Sequence, residues 1–244
     1  MKALARSLEL DVRNAEAHKM MGRTLMVIGR FDMAELEFEE AIRLKPGSAE
    51  LHYNLGKLLS MQDNWEPARK AFEEAVRLDP SSVQAVDGLG FALEALGDDE
   101  GAVASYEKAV ALNRAQQGRL AAPCVNLSAY HNRTGHPEKA LEHARQALQL
   151  DPRSDRAWFQ KARAEDSLGR PAEAMDALNQ AVSLNPHASS YFYVLSRLYQ
   201  RLGKKEESRA ALSTFERLQR ETNELEKKRR EVSRGGSRAA VPEG

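Results

Sequence analysis

The sequence predicts an all-α fold, a right-handed superhelical solenoid of helix–turn–helix repeats. Three observations predict it: two motifs that recur with a fixed period, apolar residues spaced for helices, and a composition suited to a well-solvated helical array. Hydrophobic residues make up 42% of the 244 residues and charged residues 30%, which is more charge than an average globular chain carries. Because a fixed period changes the whole fold assignment, the repeat is established first.

The period is 34 residues. Leu-Lys-Pro at 44–46, Leu-Asp-Pro at 78–80 and 150–152, and Leu-Asn-Pro at 184–186 recur at a step of 34, or of 72 where one repeat lies between. A second series has the same step, except for 38 residues between its third and fourth members: Gly29, Asp63, Gly97, Gly135, Gly169 and Gly203. Two independent series in one register indicate about six repeats, at 15–48, 49–82, 83–116, 121–154, 155–188 and 189–222.

Each repeat is predicted to contain two helices. Apolar and small residues fall at spacings of three and four between the central Gly and the terminal Pro. Gly supplies the left-handed residue that ends the first helix, and Pro stops the second helix from continuing. In the second repeat, the first helix has Leu51, Leu55 and Leu58 on one face and the second has Ala68 and Phe72. Each helix therefore has one apolar face.

The smallest side chains fall where two helices must approach closely. A larger residue there would overpack, at a cost of about 1–3 kcal/mol. The eighth repeat position reads Gly22, Gly56, Gly90, Ser128, Ala162 and Ser196, and the bulky twenty-fourth position reads Phe38, Phe72, Tyr106, Ala144, Leu178 and Leu212.

This pattern resembles the tetratricopeptide repeat (TPR) family, whose signature is a bulky residue, Leu-Gly, another bulky residue, then Ala, an aromatic, Ala and Pro. The resemblance covers Ala15 to Thr222. The sequence departs from the signature where His18 and His52 stand in place of Trp, where Arg114 and Arg220 replace the terminal Pro, and at Ala144, which replaces the aromatic.

The two ends and one insertion are irregular. Residues 1–14 match the second helix of a partial repeat whose first helix is absent, so we expect a fragment of a longer array, with a cap as the alternative. Residues 223–232 are predicted to extend the last helix as a cap or, alternatively, a coiled coil, and residues 233–244 to be disordered. Four extra residues near 117–120 could lengthen a helix or a loop.

Composition and motifs exclude several classes of function. Thirty-six Lys and Arg balance thirty-six Asp and Glu, so no global field favours nucleic acid or an anionic membrane. Cys124 is the single cysteine, and the six histidines form no metal-ligand or catalytic motif. No apolar run is long enough to span a bilayer, and the first ten residues lack a signal-like block. We therefore expect a soluble protein with no enzyme activity, cofactor or metal, and its cellular location stays open.

The TPR resemblance implies a set of groove residues. In such arrays the first helix of each repeat lines a concave wall, which corresponds here to repeat positions two, five, nine, twelve and thirteen. Aromatic and Arg side chains commonly supply binding hot spots; the alternative is that some of them pack against a neighbouring repeat. The residues so assigned are Lys19, Arg23, Tyr53, Lys57, Phe91, Phe159, Arg163, Tyr193, Arg197 and Arg201, with Asp87, Glu94 and Asp166 among them.

The resemblance also allows a test for one known subsite. Chaperone-binding members of the family hold a C-terminal carboxylate with a clamp of Lys, Asn, Asn, Lys and Arg. Lys19 and Asn54 match that set, whereas Arg23, Gln84 and Gly88 stand at the other three places. Asn54 therefore joins the predicted groove residues, but the complete clamp is not expected.

We expect a scaffold or adaptor that binds an extended peptide or a helix of a partner protein. The predicted partner is a protein or peptide that combines apolar with acidic residues, with no small-molecule substrate and no membrane. One alternative is an accessory TPR module of a larger assembly, such as a secretion, pilus or enzyme complex. Another is contact with nucleic acid through the basic cluster at 227–230, which flanking glutamates make the weaker interpretation. The oligomeric state is not predicted.

Overall fold

A computed structural model describes residues 12–238, with side chains described to residue 225 and at Lys227. The chain divides into two compact halves, Met1–Gly118 and Arg119–Gly244. The described part holds twelve helices and no strand. In the N-terminal half these are α1 (Ala15–Val27), α2 (Phe31–Leu44), α3 (Ala49–Met61), α4 (Trp65–Leu78), α5 (Val83–Ala95) and α6 (Asp99–Ala115). In the C-terminal half they are α7 (Ala122–Arg133), α8 (Pro137–Leu150), α9 (Asp155–Ser167), α10 (Pro171–Leu184), α11 (Ser189–Arg201) and α12 (Lys205–Arg238).

Left-handed residues end the first helix of each pair. All six members of the Gly29 series have positive φ, including Asp63 at 58° and Gly97 at 82°. After α1, the backbone N–H of Arg30 donates to the carbonyl of Leu25 at 2.9 Å, which is a Schellman-type closure. The predicted turn chemistry is therefore confirmed at every repeat.

Small residues face large aromatic ones across the helix pairs of the first three repeats. A Cβ atom built on Gly22 or Gly56 would lie 2.8 Å from the ring of Phe38 or Phe72, so neither site has room for a side chain. In the C-terminal half Ser128 takes the small position, and its buried hydroxyl donates to the carbonyl of Ala140 at 2.7 Å. The close approach predicted from the eighth position is present in both halves.

The histidines at the usual Trp position make the same hydrogen bond as a tryptophan. Nε1 of Trp158 donates to the carbonyl of Pro152 at 2.9 Å. Nε2 of His52 lies 3.1 Å from the carbonyl of Pro46, and Nε2 of His18 lies 3.1 Å from that of Val12. A ring N–H directed at the carbonyl six residues earlier is thus kept, which explains why His is accepted at this position.

The insertion near 117–120 lengthens both a helix and a loop. Helix α6 has 17 residues, whereas α4 has 14. Gln117 has φ of 51°, and the backbone N–H of Gly118 donates to the carbonyl of Asn113 at 2.7 Å. A left-handed residue therefore ends the longer helix as it does elsewhere in the chain.

The last helix continues to Arg238. Its predicted end is residue 232, so the helix includes residues 233–238 of the tail that was predicted to be disordered. Adding a residue to an existing helix is far easier than starting one, so Gly235 and Gly236 do not end it here. Ala211 and Leu218 are buried, whereas Leu225 is exposed. The remaining tail residues, 239–244, and residues 1–11 of the expected partial repeat lie outside the described residues.

Candidate functional site

One cavity of about 520 Å³ lies in the N-terminal half, where the first helices of three consecutive repeats meet. Helices α1 and α3 supply most of its lining, and Gln84 at the start of α5 adds the third repeat. Four predicted groove residues line this cavity: Arg23, Tyr53, Asn54 and Lys57.

Asn54 is the unsatisfied polar group of this cavity. Its side chain is 7% exposed, and its buried Nδ2 has no hydrogen-bond partner. Burying a donor without a partner costs about 1–3 kcal/mol, so the residue is unfavourable for stability alone. The two ends of the amide exchange by a half-turn of the side chain, which allows the donor to face the cavity.

The predicted groove cations of the N-terminal half are not equivalent. Arg23 and Lys57 are exposed, and neither forms an ion pair within residues 12–118. Lys19 is buried and lies 2.9 Å from both Glu16 and Glu50. Burial opposes the charge on Lys19, but its bonds to Glu50 and Glu16 outweigh that effect and raise its pKa. Lys19 therefore joins α1 to α3 and does not provide a free groove cation.

The predicted aromatics of this half lie in different surroundings. Tyr53 is half-buried against Phe72, with ring centroids 6.0 Å apart, and burial together with the charge of Asp87 raises its pKa. Phe91 is 45% exposed and meets the edge of Trp65 at 5.4 Å. Phe91 is not among the residues that line the cavity.

The carboxylate clamp is incomplete, as the sequence indicated. A Cβ on Gly88 would lie 2.6 Å from the ring of Phe72, so that position cannot hold a long basic side chain without repacking. Gln84 does line the cavity. Only part of the clamp pattern is therefore present around Asn54.

In the C-terminal half, Phe159 lies between an arginine and a tyrosine. Its ring stacks on that of Tyr191, with centroids 4.5 Å apart, and the Cζ atom of Arg163 lies 6.0 Å from its centroid. Burial lowers the pKa of Arg163, and no acidic group pairs with it among the side chains described between residues 119 and 225. The result is a half-buried, unpaired guanidinium on an aromatic surface.

The remaining predicted residues lie on α11. The guanidinium of Arg201 donates to Asp166 at 2.6 Å, so its charge is neutralised. Arg197 is exposed and has no ion pair within the described C-terminal half. Tyr193 is also exposed, with its ring 5.4 Å from that of Phe215. Arg163 and Arg197 are thus the two free arginines of the predicted set in the described C-terminal half.

Sequence reasoning missed the polar core of the C-terminal half. The eleventh repeat position, which is Leu25 and Leu59 in the first two repeats, becomes His131 and Glu165 in the fourth and fifth. Glu165 is 2% exposed and pairs with Arg170 at 3.1 Å and Arg145 at 3.5 Å. The sequence signal for His131 and Glu165 is the change from apolar to ionisable side chains at the eleventh repeat position.

His131 belongs to a cluster of three imidazoles. Its ring stacks on His143 at 5.5 Å and meets the ring of His136 at 6.0 Å. It is 5% exposed, and burial together with the charge of His143 lowers its pKa to about 4. No group of three possible ligands is arranged to hold a metal ion in the part of the chain that the structure describes.

The C-terminal basic cluster is only partly described. Lys227 is exposed, and the side chains at 228–230 lie outside the described set. Between residues 12 and 238, no helix combines the length and the apolar character needed to cross a bilayer.

Comparison with family models gives four matches to the tetratricopeptide repeat, at residues 19–82, 53–119, 133–198 and 189–222. A search of curated proteins gives no match. The matched ranges contain every predicted groove residue.

Solved structures with the same fold include PilF of Pseudomonas aeruginosa, with a TM-score of 0.71 and 15% identity over 84% of this chain and 91% of that chain. Cut9–Hcn1, an APC/C hetero-tetramer, gives 0.81 and 16% identity over 88% of this chain and 42% of that chain. YrrB, described as a TPR protein with an unusual peptide-binding site, gives 0.54 and 18% identity, covering 79% and 97%. At these identities the likeness extends to the fold alone.

Proposed function

The chain belongs to the tetratricopeptide repeat family, and we propose that it is a scaffold that binds an extended peptide or a helix of a partner protein along its first helices. The peptide-binding site named for YrrB, which has the same fold, supports a binding role of this kind. The partner proposed for this chain combines apolar with acidic side chains.

The observation that carries the proposal is the cavity around Asn54. Three consecutive repeats line it, and it holds a buried amide donor without a partner beside two unpaired cations, Arg23 and Lys57. A buried polar group without a hydrogen-bond partner requires an explanation. An acceptor atom supplied by a ligand explains the donor of Asn54.

The chemistry of the lining defines the ligand. The amide of Asn54 is suited to a peptide carbonyl, and Arg23 and Lys57 are suited to carboxylates. Tyr53 adds rigid apolar contact area with little loss of side-chain entropy. An extended segment fits this lining because its backbone carbonyls are free and its side chains alternate.

The test is selection from a random 12-residue peptide display library with the full chain as bait. We expect the parent protein to enrich a family of sequences. For a selected peptide, Asn54→Leu should weaken binding about 10-fold, because a ligand hydrogen bond is lost. The same change should leave the urea midpoint unchanged or higher, because it removes a buried unsatisfied donor.

Asn64→Leu is the matched control, since Asn64 is an exposed asparagine of the same half whose side chain makes no capping bond. This variant should bind the selected peptide as the parent does. A library from which the parent enriches nothing would overturn the proposed function. If Asn54→Leu binds the selected peptide as tightly as the parent does, the cavity around Asn54 is not the peptide-binding site.

A further inference from the structure

Arg163 is a cation that the fold buries without neutralising. It lies half-buried on α9 above the ring of Phe159, and burial lowers its pKa. By contrast, the fold pairs Arg201 with Asp166, two residues of the same predicted wall. A partly desolvated guanidinium without a counter-charge interacts more strongly with an arriving carboxylate than an exposed one does.

The aromatic ring beneath Arg163 is held by a partly buried network of contacts. Phe159 stacks on Tyr191, which is 4% exposed, at 4.5 Å and an interplanar angle of 28°. The hydroxyl of Tyr191 donates to Oδ2 of Asp155 at 2.8 Å. Nδ2 of Asn185 donates to the same oxygen at 2.8 Å. The ring of Tyr191 is therefore held at both its face and its hydroxyl.

The charge of Asp155 completes this network. Burial favours its neutral form, but the hydrogen bonds from Asn185 and Tyr191 outweigh burial and lower the pKa of Asp155. Burial and the adjacent carboxylate both raise the pKa of Tyr191. At neutral pH the bond therefore joins a carboxylate to a phenol that keeps its proton, a charge-assisted arrangement stronger than a neutral one.

A second free arginine follows one repeat later. Arg197 occupies the same repeat position as Arg163, and Tyr193 occupies that of Phe159. The C-terminal half thus repeats an aromatic residue and an arginine one helical turn apart, the spacing at which side chains share a helix face.

We infer that the C-terminal half binds an acidic segment of the partner, with a carboxylate received by Arg163 and an apolar side chain placed against Phe159. Asp155 and Tyr191 are positioning residues for this site. The inference rests on the proposed function and names the ligand chemistry of its second half. A planar guanidinium matches the two oxygens of a carboxylate, whereas an amide offers it one.

The experiment compares two peptides. The acidic form is a peptide selected from the display library, and the amide form is the same peptide with each Glu replaced by Gln and each Asp by Asn. For the parent protein we expect the acidic form to bind about 10-fold more tightly than the amide form, the size of one charge-assisted hydrogen bond. Arg163→Gln should lose the part of this preference that Arg163 provides and keep only the part that Arg23 and Lys57 provide. Arg163→Lys, which keeps the charge but not the planar fork, should retain part of the preference.

Tyr191→Phe tests the positioning role, because it removes only the hydroxyl and keeps the stacked ring. It should reduce the preference for the acidic form severalfold without changing affinity for the amide form. A purely structural loss would weaken both forms equally. Arg153→Gln, at an exposed arginine of the loop before α9, is the control and should behave as the parent.

Three results would overturn the inference. The first is a set of selected peptides without Asp or Glu, and the second is an Arg163→Gln protein that keeps the full preference for the acidic form; in both cases peptide binding itself stands. If the parent selects no peptide, the proposed function and this inference are both overturned.

Discussion

At the residue scale, one turn differs from the other five. Asp63 has φ of 58° where the matching position elsewhere is glycine. A left-handed conformation is unfavourable for a residue with a Cβ, although Asp tolerates it better than most. The fold accepts Asp63 because the turn closes as usual, with the N–H of Asn64 donating to the carbonyl of Leu59 at 3.0 Å.

Asp63→Gly should therefore raise the free energy of unfolding by about 0.5–1 kcal/mol. The matched control is Gly97→Asp, since Gly97 has φ of 82° and a Cβ there would meet no atom within 4 Å. It should lower stability by a similar amount. Urea denaturation followed by circular dichroism measures both, and a less stable Asp63→Gly protein would refute the argument.

At the scale of the helical element, α7 and α8 differ from the other pairs in what they bury. Ala144 leaves the usual aromatic position small, and His131 is buried within the same pair. The groups that face it include His136, Lys139 and His143. This pair has exchanged apolar packing for an imidazole cluster in which burial keeps His131 neutral at physiological pH.

The sign of the resulting pH dependence follows from the pKa of His131, which is lowered from 6.5 to about 4. Below pH 6.5 the unfolded chain takes up a proton at His131 that the folded chain does not bind until about pH 4. The stability that neutral His131 provides is present above pH 6.5 and is lost as the pH falls towards 4.

We therefore expect the melting temperature to fall between pH 7 and pH 5. His131→Leu, which restores the leucine of the first repeats, should flatten this dependence. His187→Gln changes an exposed histidine and should leave the slope as it is in the parent. Thermal melts at several pH values measure this dependence. If the melting temperature of His131→Leu varies with pH as that of the parent does, His131 is not its cause.

At the scale of the whole molecule, the net charge is zero, but some cationic side chains have no acidic partner nearby in the described part of the chain. Arg23 and Lys57 in one half, and Arg163 and Arg197 in the other, are unpaired within the described residues. Each group lies beside an aromatic residue. Electrostatic recognition therefore depends on a few positions and not on the overall field.

Affinity for a selected acidic peptide should fall as salt rises from 50 mM to 500 mM without vanishing, because salt screens exposed charges but not aromatic contacts. A chain with both Arg163→Glu and Arg197→Glu should lose binding at low salt while keeping its helical signal. Fluorescence anisotropy and circular dichroism measure the two effects. Salt-independent binding would show that the cations take no part.

The candidate site was predictable in outline but not in detail. Repeat position indicated Arg23, Tyr53 and Lys57, which do line one cavity. It did not distinguish Lys19, which two glutamates neutralise, from the free cations. Position along the sequence places a side chain on a helix face, whereas its charge balance depends on residues from the next repeat.

The helical class, the repeat family and the turn positions could be predicted from the sequence, because they depend on local periodicity and on the conformational limits of Gly and Pro. The pairing of polar groups became clear from the folded chain, in which Asn54 and Arg163 stay unpaired and Arg201 is satisfied. Several of the deciding contacts join residues about 30 or more positions apart, such as Asp155 and Tyr191 or Asp166 and Arg201. A repeating pattern places such residues in register, but only their contacts in three dimensions show which of them remain free to bind.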